Sequence, residues 1–132
     1  MGAILKRSGV AVSLLLSSLP LTAHHSMSAT FDLSQRFTWT GTLIEVDWRN
    51  PHLYLYVEVL DEQEQVETWA FEGPSPTAFR NNENVGKSDF EAAVGQVVSV
   101  EASRARDGSL SGLIRALTFP DGDVISVCPN LC

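Results

Sequence analysis

The clearest chemistry in this 132-residue chain belongs to three histidines in two places: His24 and His25 side by side, and His52 closing the run Val46-Asp47-Trp48-Arg49-Asn50-Pro51-His52. Imidazole is the commonest protein ligand for late first-row metals. If a leader ends at Ala23, His24 becomes the first residue, and its free amine and ring nitrogen can chelate one ion together. Such nitrogens suit Cu(II) first, with Ni(II) and Zn(II) behind it. The metal-ligand set is then His24, His25 and His52, with Glu72 either orienting the His52 ring or adding a carboxylate. The plainer reading makes His24 and His25 a solvated chain end and gives His52 a backbone hydrogen bond at a strand edge. Met27 is a soft accessory donor on the first reading and packing on the second.

Those histidines depend on how the chain begins. Lys6 and Arg7 precede an apolar run, Gly9 to Leu19, too short to span a bilayer, and small Ala23 follows Pro20-Leu21-Thr22. Residues 1–23 read as a signal peptide, an uncleaved membrane anchor being the alternative. The mature chain holds one domain, divided into an extended arm (24–36) that docks by Phe31, a barrel (37–127) and a cysteine-bearing tail (128–132). Loss of Lys6 and Arg7 takes the formal charge from −7 to −9. That balance disfavours nucleic acid and anionic membranes and favours cations. The expected location is periplasmic or secreted, and in an oxidising compartment Cys128 and Cys132 of the terminal Cys-Pro-Asn-Leu-Cys close a local disulfide. A thiolate pair for a metal is the alternative, but it lacks the second pair of a zinc site.

The elements that must position the histidines are strands. Phe37 to Trp48 is rich in β-branched and aromatic residues, with Gly41 marking a bulge or bend. Arg49-Asn50-Pro51 interrupts the pairing, and His52 to Leu60 forms a second strand that sends Leu53, Leu55, Val57 and Val59 to one face and His52, Tyr54, Tyr56 and Glu58 to the other. After a turn at Asp61–Glu64, Gln65 to Glu72 returns. Pairing Leu60 with Gln65 sets Tyr56 against Trp69 and Tyr54 against Phe71, places His52 beside Gly73, and opposes Glu58 to Glu67. Ser75-Pro76 starts a short helical turn, and Ser88 with Glu91 reads as a capping box on a second that ends at Gly95. Val97–Arg104 and Ser109–Phe119 are strands joined at Asp107-Gly108, and a short strand, Val124–Val127, follows Asp121-Gly122. The expected fold is mainly β, a small antiparallel OB-like barrel of five to six strands with one or two short helical turns; a β-sandwich is the alternative.

The aromatic residues Tyr54, Tyr56, Trp69 and Phe71 then form either ordinary cross-strand packing or a platform for a planar ligand, a sugar or a protein partner. Trp48 and Asn50 join that ligand-binding set from the turn, although their plain roles are rim packing and local backbone bonds. No nucleophile triad, phosphate-binding glycine loop or haem motif is present, so no catalytic residue is assigned and hydrolysis is not expected. Two functions remain: a metal-binding protein using His24, His25 and His52, or a metal-free barrel that binds a ligand or protein through its aromatic face.

Two resemblances add to this. The terminal histidine acting with another histidine resembles the histidine brace of periplasmic copper carriers and copper-dependent polysaccharide monooxygenases, in ligand set alone. His24-His25-Ser26, Phe31-Asp32, Thr40-Gly41-Thr42, Val46-x-Trp48-x-Asn50-Pro51-His52, Trp69-x-Phe71-Glu72 and Gly95-x-x-Val98 together resemble an uncharacterised family of small exported bacterial proteins marked by His-His-Ser and Trp-x-Asn-Pro-His. That family is a domain of unknown function, so the resemblance implies export and membership and no activity. The terminal Cys-Pro-Asn-Leu-Cys departs from its pattern.

Overall fold

A computed structural model describes residues 27–79 and 85–127. One helical turn, α1 (Met27–Thr30), precedes β1 (Phe37–Asp47), β2 (Tyr54–Leu60) and β3 (Val66–Glu72). A 3₁₀ turn at Pro76–Phe79 and the short helix α2 (Lys87–Ala92) lead to β4 (Val97–Arg104), β5 (Ser111–Thr118) and β6 (Val124–Ser126). The strands run β3-β2-β1-β4-β5-β6, and β3 also pairs with β5, so five strands close a barrel and β6 lies outside it. The mainly β, OB-like barrel is the architecture observed. All pairings are antiparallel except β3–β5. A closed ring with an odd number of strands cannot alternate direction throughout, so five strands require at least one parallel seam.

β1 turns the corner of the barrel. Phe37 to Thr42 pair with β4, and Thr42 to Asp47 pair with β2. The bulge lies between Leu43 and Glu45, not at Gly41. Gly41 serves a different need: a Cβ there would overlap the Glu58 carbonyl on β2, so only glycine allows the two backbones to approach this closely.

Inside, Leu43, Leu55, Val57, Phe71, Val98, Val100, Ala102 and Leu117 are fully buried. One mouth is plugged by α2, whose Phe90 packs 5.2 Å from Trp48, 5.4 Å from Phe79 and 5.3 Å from Phe119, ring centre to ring centre. At another margin of the barrel Trp39 and Trp69 pack at 4.6 Å, and the Arg104 guanidinium lies over Phe37, Trp39 and Trp69.

The β2–β3 register differs from the sequence reading by one residue. The loop is Glu62-Gln63-Glu64, three residues rather than four, because the Asp61 N–H donates to the Gln65 carbonyl and Asp61 Oδ1 accepts the Gln63 and Gln65 N–H groups, each at 2.8 Å. Glu64 takes a φ of 59°, the left-handed residue that closes such a loop. Leu60 therefore faces Val66, Leu55 faces Phe71 and Tyr54 faces Glu72. A one-residue slip moves a whole strand face. Trp69 and Phe71 turn into the core, away from Tyr54 and Tyr56, and the proposed four-ring aromatic face does not form. Glu58 meets Thr68 rather than Glu67, which removes the like-charge opposition.

The helix cap also moves. α2 starts at Lys87 after Gly86, whose N–H donates to Asp89 Oδ2 at 2.7 Å, so the acid three residues after the cap is Asp89 and not Glu91. Glu91 pairs with Lys87 at 3.2 Å, an i, i+4 contact along the helix. Met27–Thr30 is one helical turn where an extended arm was expected, closed by the Phe31 N–H donating to the Met27 carbonyl.

Candidate functional site

The loop that carries His52 is fastened at several points. Trp48 packs on Phe79 and Phe90 at the plugged mouth. Asn50 Oδ1 accepts the Ser75 hydroxyl at 2.6 Å, tying this loop to the segment after β3, and the Asn50-Pro51 peptide is cis. The Leu53 N–H donates to the Pro74 carbonyl, and the Gly73 N–H donates to the Leu53 carbonyl. A side chain at Gly73 would press on Leu53, so glycine lets this end of the hairpin close. Trp48, Asn50 and Pro51 thus fix the loop, and His52 is left to face outward.

His52 Nδ1 lies 3.2 Å from the Gly73 carbonyl oxygen and 3.6 Å from Glu72 Oε1. With Nδ1–H donating to that carbonyl, the free lone pair sits on Nε2, the arrangement found behind metal-binding imidazoles. The two side chains keep 33% and 19% of their accessible surface. The Tyr54 hydroxyl donates to Glu72 Oε2 at 3.3 Å, so Glu72 spans the ring and the phenol. Burial, then the Glu72 charge and hydrogen bond, hold the Tyr54 phenol above its ordinary range, with Arg49 opposing. Arg49 lies 5.4 Å over the Tyr54 ring and 3.0 Å from Asp47 Oδ2.

On the outer face Asp47, Tyr54, Glu72 and Leu113 form one row across β1, β2, β3 and β5, followed by Glu45, Tyr56, Ala70 and Ser111. These two rows carry three carboxylates, Asp47, Glu72 and Glu45, with Tyr54 and Tyr56 as their aromatic residues. The arm crosses its β5 edge. Phe31 is buried against Ala105 and Leu113, with Met27 and Leu33 packed around them, in a cluster separate from the barrel core. Its position rests on a backbone bridge to Ala105, on the Asp32 N–H donating to the Arg104 carbonyl, and on Arg106.

Among the described residues no three histidine, cysteine, aspartate or glutamate side chains gather as a metal cluster. His52 and Glu72 are together; His24, His25, Cys128 and Cys132 lie outside the described residues, as do residues 1–23, which the sequence reading takes as a leader. Trp69 and Phe71 are core residues, although an edge of Trp69 lines a cleft of about 380 Å³ with Trp39, Arg104, Glu62 and Leu110. Sequence reading did not single out Arg49, Arg104 or Arg106. The partners of Arg104 and Arg106 come from distant segments, so no local spacing announces them. The Gly73-Pro74 breaker did mark the place where His52 is held.

Residues 11–115 match the model described as a family of unknown function (DUF6152). No curated protein matches the chain, and no solved structure does.

Proposed function

The chain belongs to the family of unknown function DUF6152, and from that premise we propose that it is an exported protein that binds a transition metal, copper first. The ligands are His52 Nε2 and, once the leader is cut, the amine and imidazole of His24, with His25 as a further nitrogen. Glu72 orients the His52 ring or adds an oxygen. The single observation that carries the reading is the Nδ1 contact of His52 with the Gly73 carbonyl at 3.2 Å, which leaves Nε2 on an acidic outer face. That acidity favours a cation in the approach as well as at the site. The metal-free reading keeps only Tyr54 and Tyr56 of its aromatic platform, so it has less surface to use.

The test uses the protein recovered from the periplasm of an exporting host. Intact mass is expected to place the first residue at His24 with Cys128 and Cys132 oxidised, and metal analysis after Cu(II) loading to give about one ion per chain. His52→Ala is expected to lose that ion while retaining the barrel. Equal copper retention by His52→Ala and the unsubstituted chain sinks the proposal.

A further inference from the structure

We propose that the end of the barrel opposite α2 is a second binding site, one that takes a free α-amino acid with its carboxylate on Arg104 and its ammonium on Glu67. The site is independent of the metal reading and shares no residue with it.

The strands bring an acid and a base inward at this mouth. In β3 Glu67 lies on the same side as buried Trp69 and Phe71, and in β2 Val59 lies on the same side as Val57 and Leu55. β1 supplies Phe37 and Trp39, their ring centres 6.0 Å apart. Arg104 ends the inward row of β4 that runs through Val98, Val100 and Ala102. The other mouth is stoppered by the rings of Phe90, Trp48 and Phe119, whereas this one ends in the cleft of about 380 Å³. That volume lies in the range of small-molecule sites, which favour the mouths of β-barrels.

Both charges sit against one indole without being joined to each other. The Arg104 guanidinium stands 5.6 Å from the Trp69 ring centre, and the Trp69 Nε1–H donates to Glu67 Oε2 at 3.1 Å. No ion pair within 4.0 Å links Arg104 to Glu67, and among the described residues the guanidinium has no hydrogen-bond acceptor. Stacking on Phe37 and Trp39 uses a face of the guanidinium and leaves its N–H edges free, a fork that a carboxylate matches.

A cation and an anion held apart in one cleft are satisfied together by a ligand that carries both charges. A simple anion would meet Glu67, Asp61 and Glu62 on the same walls, and a simple cation would meet Arg104. In an α-amino acid the two charged groups are neighbours, and the side chain is left to lie along Val59, Leu60 and Leu110. Leu60 and Leu110 are exposed, so this wall favours an apolar side chain.

The full chain, isotopically labelled at its tryptophan nitrogens and kept in excess EDTA to remove metal, is titrated with L-leucine, leucine methyl ester and N-acetyl-leucine while the indole N–H signals are followed. Trp48, at the plugged mouth, is the internal control. L-leucine at millimolar concentration is expected to move the Trp69 signal saturably and to leave Trp48 in place. The ester lacks the carboxylate and the N-acetyl form lacks the ammonium, and each is expected to bind at least about tenfold more weakly. Arg104→Gln is expected to bind leucine and its ester alike, and Glu67→Gln to bind leucine and N-acetyl-leucine alike. Glu67→Gln keeps a carbonyl oxygen for the Trp69 Nε1–H, so it decides the matter if loss of the Arg104 stack unfolds the barrel. No saturable Trp69 shift with L-leucine, L-phenylalanine or L-alanine overturns the site. Equal affinity for leucine and both derivatives overturns the charge pairing that defines it, and a shift of Trp48 in place of Trp69 overturns its location.

Discussion

His52 is held by a backbone carbonyl at one ring nitrogen, and the environment of Glu72 decides what the neighbouring side chains can do. Glu72 faces the imidazole with one oxygen and accepts the Tyr54 hydroxyl with the other. Burial first, and then the Glu72 charge and hydrogen bond, act against the phenolate, so Tyr54 is expected to ionise above the ordinary tyrosine range and Glu72→Gln to bring it part of the way back down. Phenolate absorbance through an alkaline titration reads this, and no change on Glu72→Gln would remove Glu72 as a cause. The sign for stability follows from the direction. A phenol that is harder to ionise in the fold than in the unfolded chain contributes stability that is complete below its unfolded pKa of about 10 and lost as pH rises through the higher folded value. Much at this scale was legible in the sequence: the alternation from Leu53 to Val59 follows from a strand period of two, and closing the hairpin brings His52 near Gly73 and Glu72 in either register. The Tyr54–Glu72 hydrogen bond was not, since it depends on the register of the whole hairpin.

That register is the lesson at the scale of the elements. Residues 61–65 carry turn residues compatible with a loop of three or four, and the choice is made by the Asp61 carboxylate, which takes two backbone N–H groups and stabilises the shorter one. Core demand agrees: the observed register buries Trp69 and Phe71, whereas the alternative would leave two large rings outside and set Glu58 against Glu67. Local propensity alone cannot weigh those terms. The helix cap was misplaced for a related reason, since Ser88/Glu91 and Gly86/Asp89 both satisfy the same spacing and only the packing of α2 against the barrel distinguishes them. Phe90 is what makes that packing count, meeting Trp48, Phe79 and Phe119 at the plugged mouth. Phe90→Ala is expected to cost about 3–5 kcal/mol of unfolding free energy, the range for deleting a buried ring and leaving a cavity. Denaturant unfolding measures it, and a loss under about 1 kcal/mol would show that the plug contributes little to the barrel.

For the whole molecule, strand count and the place of the helix were readable from periodicity and turn residues, whereas the direction of the closing pair was not. It follows from a count that includes all five strands at once. The seam that closes the ring is also its shortest, three register pairs from Ala70–Ser111 to Glu72–Leu113, against five to seven in each of the other four pairings that form it. β1 to β3 are joined by short turns, as are β4 and β5, so each half can assemble locally, while β3 and β5 meet only after a long stretch of chain is brought round. The seam is accordingly expected to form last and open first, and amide exchange at Ala70 and Phe71 to outpace that in the middle of β2. Equal protection would show that the ring opens elsewhere. Since the arm covers Leu113 at this same seam, the docked arm acts as a hoop around the barrel, raising kinetic resistance to unfolding without touching the core.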